Sequence, residues 1–535
     1  MEMAAEFLRP AAGPAVIQIV SMDGGGEPRL QLRGYEDPDR PASKRSEDDE
    51  RSAFHRITGH LFKALRGRRN LLFINSKSAV ELYADALRRL ADQERVPNEF
   101  FPHHGSLSKA LREDMETMLK DGDRPATAVC TSTLELGIDI GAVESVAQVG
   151  SPPGVASLRQ RLGRSGRRGD PAVLRIYVDE PEITPRHSPN DRLRLGLVQT
   201  VAMVQLLIKR WCEPPIGGAL HLSTLVQQVL STLAQFGGAR ADEVWRALCQ
   251  SGPFSSVDAR MFAEFLKSLA LHDLLVQSED GTLLPGAHGE VLLNNHDFYS
   301  AFASDEEYRI EHDGRTLGSM PISHAVIPGQ MLIFAGRRWT IVRIDEDEKR
   351  ISITPARGGA PPIYSGGGPR VHDRVRQEMF GLYTGLDVPE YMDEGARRLL
   401  REGRDAFSEL SLRGKCVIEN GDEALVFLWA GDRTLDTVTA LLAQREIMGT
   451  NEYGCLRMRN VDERGVIGCF EEILAGPASD ARVLASVVRS KRRQKHDLYL
   501  SESLLCADYA SRDLDVPTAL NVIRRVIEGR SPVSA

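Results

Sequence analysis

Between residues 71 and 178, short apolar runs alternate with helix-patterned segments, and this alternation restricts the fold more than any other feature of the chain. Residues 71–74 (LLFI), 99–103, 126–130, 143–149 and 172–178 have the length and composition of buried strands. Between the first two, Val80, Leu82, Tyr83, Ala86, Leu87 and Leu90 recur at helical spacing across 79–90. Further helices are expected at 108–119, capped by Ser108, and at 155–162. Strands that are apolar along their whole length and alternate with helices predict a parallel sheet covered on both faces. Ligands of such sheets bind at the carboxyl ends of the strands. Asn75, Gly105, Thr131 and Gly150 each follow a predicted strand, so the polar loops gather on one edge.

At 535 residues there is room for roughly three or four domains. Residues 1–54 read as an irregular segment and 55–186 as the parallel-sheet domain. From 187 to 305 the pattern is helical. One long helix is expected over 191–211, ended by Pro214-Pro215. Thr224 with Gln227 suggests a capping box for a helix running to Phe236 and closed by Gly237-Gly238. Helices over 241–249 and 257–271 and a hairpin around Asp280-Gly281 complete a winged-helix pattern, which serves nucleic-acid binding or a purely structural role. Residues 306–535 read as a β-rich α+β domain, with strands at 330–334, 339–344 and 350–353, a Gly/Pro-rich loop at 358–369 and mixed structure beyond 385. The expected fold class is therefore α/β, with one parallel-sheet domain followed by a winged helix and a β-rich α+β domain.

Apolar residues make up 42% and charged residues 27% of the chain, as in ordinary globular proteins. A formal charge of −8 argues against a protein that coats nucleic acid along its whole surface, while leaving room for a local basic groove. None of the seven cysteines has CxxC spacing, so neither a zinc site nor a disulfide framework is suggested, which fits a reducing cytoplasm. The N-terminal residues lack the basic-then-apolar order of a signal peptide, and the apolar run 195–208 is too short to span a bilayer. The expectation is a cytoplasmic protein without a membrane role.

The stretch Gln160-Arg161-Leu162-Gly163-Arg164-Ser165-Gly166-Arg167-Arg168 places four arginines among glycines that permit tight turns. Fixed guanidinium groups of this kind stabilise the charge that develops on a transferring phosphoryl group, and Arg164 and Arg167 are the candidates. The bland reading is a solvated basic turn. Upstream lies TSTLELGIDIG, residues 131–141. Asp139, two residues after Gly137, is placed to accept a ribose hydroxyl, although alone it has the pattern of a turn residue. Thr131 and Ser132 end a strand, where hydroxyl and backbone groups suit a nucleic-acid phosphate. Asn75-Ser76-Lys77-Ser78 and His103-His104-Gly105-Ser106 are further polar strand-end loops. No third ligand accompanies the two histidines, so no metal site is expected.

Residues 71–78, 103–108, 131–141 and 160–167 occur in the order and spacing of the second RecA-like domain of superfamily 2 helicases. In detail HHGSLS, TSTLELGIDIGAVESVAQVGSP and QRLGRSGRR resemble the large helicase-related (Lhr) family. The likeness continues through LVQQVLSTLA, PARGGAPP and DLYLSESLLCADYASRDLDVPTAL, from near residue 55 to the end. This resemblance implies an ATP- and Mg-dependent helicase that moves 3′ to 5′ on single-stranded DNA and unwinds duplexes, including RNA:DNA hybrids. By position it implies that Arg164 and Arg167 are arginine fingers and that Gly137, Asp139 and Gln160 lie on the nucleotide side. It places Asn75, Ser76, His104, Gly105, Ser106, Thr131 and Ser132 along the nucleic-acid strand. Family members stack a C-terminal-domain tryptophan on a base, which points to Trp429, with core packing as the alternative and Trp339 as a core residue. The basic run 489–495 reads equally as a phosphate contact or a solvated charge run.

The chain departs from that family in one respect. No GxxxxGK followed by Ser or Thr occurs, and no DEAD- or DEAH-like carboxylate pair follows an apolar strand. Glu135 is no substitute, because it belongs to the domain that faces the phosphate loop. The expected arrangement is the C-terminal subunit of a split helicase, sharing its ATP site with a partner that carries the first RecA-like domain. A non-catalytic single-strand-binding adaptor and a truncated reading frame of an ordinary helicase are the alternatives.

Overall fold

The computed structural model describes residues 27–39, 49–122, 124–135, 140–141, 143–166, 170–250, 252–300, 307–321, 331–345, 348–356, 370–477, 480–488 and 491–529. Its centre is a six-stranded, all-parallel sheet in the order β1-β6-β5-β2-β4-β3. The strands are β1 (Arg29–Asp37), β2 (Arg69–Ile74), β3 (Phe100–His103), β4 (Ala126–Cys130), β5 (Ser145–Val149) and β6 (Val173–Pro181). All five residues of β4 and of β5 are buried, the signature of a strand covered on both sides. Helices α1 (Ala53–Leu65) and α2 (Lys77–Gln93) cover one face through Ile57, Leu61, Val80 and Leu87. Helices α3 (Lys109–Asp121), α4 (Val155–Leu162) and α5 (Leu195–Ile208) cover the other. Ser52, Ser76 and Ser108 cap α1, α2 and α3 through their hydroxyls.

Strand β1 lies inside the segment expected to be irregular. It is an edge strand in which Leu32 alone is fully buried, so no apolar run announces it. Its outer edge is blunted by residues 391–396: Leu32 N–H donates to Tyr391 O, and Asp393 N–H to Leu32 O. Gly34 is required there, since a Cβ would sit 2.6 Å from Ala396 Cα.

The long helix expected over 191–211 is broken. A short turn, Pro189–Arg192, precedes Arg194, which has φ 54°, and α5 starts at Leu195. Tertiary bonds outweigh the helical pattern here. The Arg194 guanidinium, 2% exposed, reaches Pro181 O, Glu36 and Glu402, while the Glu180 carboxylate accepts the Leu197 N–H at 2.7 Å. Among the described residues no helix is long and apolar enough to cross a membrane, and α5 is instead buried against the sheet.

Beyond α5, helices α6 (Leu222–Phe236) and α7 (Ala259–Leu271) and a small sheet of β7 (Ala239–Arg240), β8 (Leu275–Gln277) and β9 (Thr282–Pro285) form the winged-helix unit. The Thr224–Gln227 capping box does not form. The helix begins three residues earlier, with His221 at the N-cap; Asp508 accepts the Leu222 N–H at 2.8 Å, and Gln227 donates to Phe298 O. Residues 241–250 are one short α-turn that runs on into a π-helix.

The first strand of the β-rich region begins at residue 307. Strands β10 (Glu307–His312), β11 (Arg315–Pro321), β12 (Met331–Phe334), β13 (Arg337–Asp345) and β14 (Arg350–Pro355) form a five-stranded sheet with its own core, including Trp339. The expected loop at 358–369 lies outside the described residues. Helices α8 (Asp373–Thr384) and α9 (Glu394–Glu409) pack back into the core of the parallel sheet. A four-stranded sheet follows, of β15 (Val417–Asn420), β16 (Glu423–Val426), β17 (Gly449–Glu452) and β18 (Cys455–Arg459), with α10 (Asp432–Ala443), α11 (Glu463–Ala475), α12 (Glu502–Asp513) and α13 (Val516–Ile527). Residues 306–535 therefore contribute to several cores rather than one. Of the run 489–495, residues 491–495 are described and act as a strap: Lys491 pairs with Glu502 at 2.7 Å, Lys495 with Asp297 at 2.9 Å, and Arg493 lies 5.1 Å from the Tyr509 ring centre.

Burial raises the Glu180 carboxyl to a pKa of about 7 from an ordinary 4.5, against the lowering effects of the Leu197 N–H and Arg194. The fold thus favours the protonated acid. Its contribution is complete below about pH 4.5 and is lost as pH rises through about 7. Glu180→Gln keeps an acceptor for Leu197 but removes the titration. Thermal unfolding should find the variant gaining stability relative to wild type between pH 5 and pH 8, by on the order of 3 kcal/mol at most. A pH-independent difference would contradict the assignment.

Candidate nucleotide and nucleic-acid face

Because all six strands run parallel, their carboxyl ends meet on one edge, and the loops after β2, β3, β4 and β5 lie there. Asn75 is exposed after β2; its Nδ2 donates to Ser151 O at 2.6 Å, which ties the β2 and β5 loops together. Ser76 spends its hydroxyl on capping α2. The exposed Lys77 reaches Ser106 Oγ at 2.7 Å, linking the β2 and β3 loops. After β4, Thr131 is half-buried and Ser132 is exposed at the start of a short 3-10 turn.

The β3 loop differs from expectation. Gly105 is exposed, but His104 is 1% exposed and Ser106 is 4% exposed. His104 Nε2 bonds to Glu81 at 2.9 Å. That carboxylate also accepts the Ala335 and Gly336 N–H groups at 2.8 and 2.6 Å. Ser319 N–H donates to Ser106 O at 2.7 Å and Ser108 N–H to Leu317 O at 2.8 Å. The five-stranded sheet therefore seats on this loop and covers the imidazole. His104 and Ser106 do not present their side chains to a strand in this arrangement, which leaves the backbone at Gly105 as the accessible part.

Helix α4 carries the arginine-rich motif. Arg161, 1% exposed, lies 4.6 Å from the Phe73 ring centre. Its Nε donates to Glu135 Oε1 at 2.7 Å, and its terminal nitrogens bond Glu135 and Gln148. Ser157 Oγ adds a bond to the same Glu135 oxygen at 2.9 Å. One turn later, Arg164 Nε donates to the Glu135 backbone carbonyl at 3.0 Å, joined there by Nη2. Glu135 thus grips two of the motif's arginines, one by its carboxylate and one by its carbonyl. Gln160 is exposed on the same helix. Gly137, Asp139 and Arg167 lie outside the described residues.

Trp429 does not offer a stacking surface. It is 4% exposed and ringed by Phe380, Tyr383, Phe407 and Phe427 at centroid distances of 5.4–5.9 Å. This indole joins α8, α9 and the start of α10 to the main core, so its alternative reading as a packing residue holds. Sequence reasoning also passed over Arg161 and Glu135 as site residues. The available signal was the position of Arg161 between Leu158 and Leu162, on the inward face of its helix.

Among the described residues no cluster of three or more His, Cys, Asp or Glu side chains suits a metal ion. The motif's guanidinium groups have the chemistry of phosphate ligands, and its two described arginines, Arg161 and Arg164, both donate to Glu135.

Residues 52–169 match the family described as helicase conserved C-terminal domain. The Lhr helicase/probable uracil glycosylase of Mycolicibacterium smegmatis is 30% identical over 338 residues, covering 57% of this chain and 21% of that protein. The Escherichia coli Lhr helicase/uracil glycosylase is 26% identical over 358 residues, 58% of this chain and 22% of that protein. The ATP-dependent helicase Lhr-Core of Saccharolobus solfataricus is 44% identical over 101 residues, 18% of this chain and 11% of that protein. The chain thus spans about a fifth of the length of the first two relatives. In fold, the Mycobacterium smegmatis helicase Lhr, solved with single-stranded DNA and AMP-PNP, superposes with a TM-score of 0.60 at 19% identity, over 99% of this chain and 72% of that one. The chain carries a helicase C-terminal domain and is similar to the C-terminal portion of Lhr-like superfamily 2 helicases.

Removing Glu135 would strand a buried guanidinium. Glu135→Ala should lower stability by about 3–5 kcal/mol in denaturant unfolding, and pairing it with Arg161→Met should recover most of that loss. An unchanged midpoint in the single variant would show that Arg161 finds another partner.

Proposed function

We propose that this chain supplies the arginine-bearing half of the ATP site and the nucleic-acid-binding modules of an ATP-dependent DNA helicase. The phosphate-loop half then lies in sequence outside these 535 residues, on a partner subunit in the arrangement we favour. The observation that carries the reading is helix α4, held at the ligand edge of a parallel sheet by Glu135, with the rest of its glycine-arginine motif continuing past its end. The similarity to Lhr-like helicases supports it.

In this reading ATP, bound with Mg, supplies the phosphoryl group whose charge builds up in the transition state. Arg164 and Arg167 meet that charge from the opposite side to the phosphate loop. Gln160, Gly137 and Asp139 face the nucleotide, and Gln160 also links it to the strand. Asn75, the backbone at Gly105, Thr131 and Ser132 lie along the phosphates of one strand, where hydroxyls and N–H groups position without reading sequence. Translocation from 3′ to 5′ on single-stranded DNA and opening of duplexes or RNA:DNA hybrids follow from the family likeness.

Purified alone, the chain should bind an oligo(dT) strand with an affinity that falls steeply with salt and is unaffected by ATP, and it should show no ATPase. Adding a polypeptide with a phosphate loop and a DEAD- or DEAH-like motif, from the adjacent coding sequence, should give strand-dependent ATPase. Arg164→Ala should reduce that activity by about 10³-fold with strand affinity retained. Full activity of the Arg164 variant would refute the proposal. Strand binding that no partner converts into hydrolysis would favour a non-catalytic adaptor.

A further inference from the structure

The face of a parallel sheet that lies under a helix is ordinarily apolar. On the α1 side of β1 and β6 it is not. Arg33 and Tyr35 of β1 and Arg175 and Tyr177 of β6 share that side, while Leu32, Leu174 and Ile176 turn to the opposite core. The register sets Arg33 opposite Tyr177 and Gln31 opposite Arg175. Arg33 and Arg175 are therefore diagonal neighbours with Cβ atoms roughly 8 Å apart, near enough for two long side chains to meet one small anion. Helix α1 adds His60, whose Nδ1 lies 2.9 Å from the Tyr177 hydroxyl, and Arg56, whose guanidinium carbon lies 5.5 Å from the centre of the Tyr35 ring. The two tyrosine rings stack at 6.4 Å. Arg175 is the third residue of β6, so the cluster sits toward the amino ends of the strands, away from the loops after β2, β3, β4 and β5.

The charges in this cluster are not balanced. Arg175 is half-buried, its Nη1 is buried without an acceptor, and its side chain makes no hydrogen bond or ion pair with any described residue. Arg33 bonds the Tyr35 hydroxyl, and its Nη1 lies 3.8 Å from Asp393 Oδ2, a loose pair. The other oxygen of that carboxylate accepts the Gly34 and Ala396 N–H groups. Burial, and then the charges of Arg33 and Arg175, push His60 down to about 4 from an ordinary 6.5; Lys63 adds to the effect and Asp393 opposes it. The imidazole is thus neutral at pH 7 and sets a polar ring beside two cations. A half-buried guanidinium without a counter-charge is costly, and an anion removes that cost.

The geometry points to a phosphate-binding site on the α1 face, in which the guanidinium groups of Arg33 and Arg175 share the oxygens of one phosphate and the His60–Tyr177 pair borders them. The planar fork of guanidinium donors matches a phosphate, which a single ammonium does not. The ligand is a phosphate group, carried on a nucleic-acid backbone or on a free small molecule. The site is separate from the arginine motif of α4 and stands whether or not that motif serves ATP hydrolysis.

The experiment titrates the full chain at pH 7 with inorganic phosphate, oligo(dT) and a blunt DNA duplex, each against chloride at equal ionic strength. It reads the ring resonance of His60, identified by its loss in His60→Gln, together with the melting temperature. Inorganic phosphate should shift the resonance saturably and raise the melting temperature of wild type. Arg175→Gln should weaken that binding about tenfold, the scale of one lost charge-assisted bond. Without phosphate the same variant should melt at or above the wild-type temperature, because an unpaired charge is gone. Arg33→Gln, measured in the same way, covers the case in which Arg175→Gln does not fold. A response to oligo(dT) or duplex at lower concentration than to phosphate, lost in the arginine variants, supports the site and assigns it to the backbone. A response to inorganic phosphate with none to either nucleic acid supports it and assigns it to a free phosphate compound. No saturable shift with any of the three, or an unchanged midpoint in both arginine variants, overturns the site.

Discussion

The buried pair of Arg161 and Glu135 is the constraint on which the candidate site depends. A guanidinium that is 1% exposed is stable only with its donors met, and here Glu135, from the loop after β4, and Gln148, within β5, meet them. Once Arg161 is fixed, α4 has a single position against Phe73 and β5, and Arg164 follows one turn later onto the Glu135 carbonyl. The pair serves geometry more than stability, since buried ion pairs gain little over apolar packing of equal volume. What it provides is a defined origin for the arginine motif.

A second constraint joins the modules. The five-stranded sheet does not hang from a linker. The Glu81 carboxylate caps the turn before β13, Asp85 pairs with Arg338 at 2.8 Å, and the loop after β3 bonds along β11. Helices α8 and α9 likewise complete the core under the parallel sheet, closed by the aromatic cluster around Trp429. The five-stranded sheet and helices α8 and α9 are thus built onto the parallel-sheet domain, while the winged-helix unit and the four-stranded sheet keep cores of their own. The winged-helix unit is tied instead to the C-terminal segment, through a core shared with Tyr499, Leu504 and Leu505 and bonds from Leu222 to Asp508 and from Ser268 to Tyr499 O.

The parallel sheet was legible because its strands are apolar along their length and its loops polar. Five of its six strands lie where the alternation places them. Strand β1 escaped, since an edge strand with one buried residue has no apolar run. The break at Arg194 escaped as well, because the residues that hold it, Glu36 and Glu402, are 158 and 208 positions away. Of the candidate residues, Asn75, Gly105 and Thr131 follow strands of the parallel sheet, as the alternation places them. His104 and Trp429 fail for one reason. Polar or aromatic identity beside a strand end does not reveal what packs over it, and in both cases a distant segment does.

By itself the sequence determines the alternation that makes a parallel sheet, the order of its motifs, and the presence of a glycine-arginine motif without a GxxxxGK sequence. These are local properties, carried by periodicity, loop chemistry and residue type. Only the tertiary structure decides which arginines are gripped, that Glu135 holds them, that Glu213 caps their helix from beyond α5, and that His104 and Trp429 are covered. Those outcomes depend on bonds between residues tens to hundreds of positions apart, where burial forces each polar group to find a partner that no local pattern names.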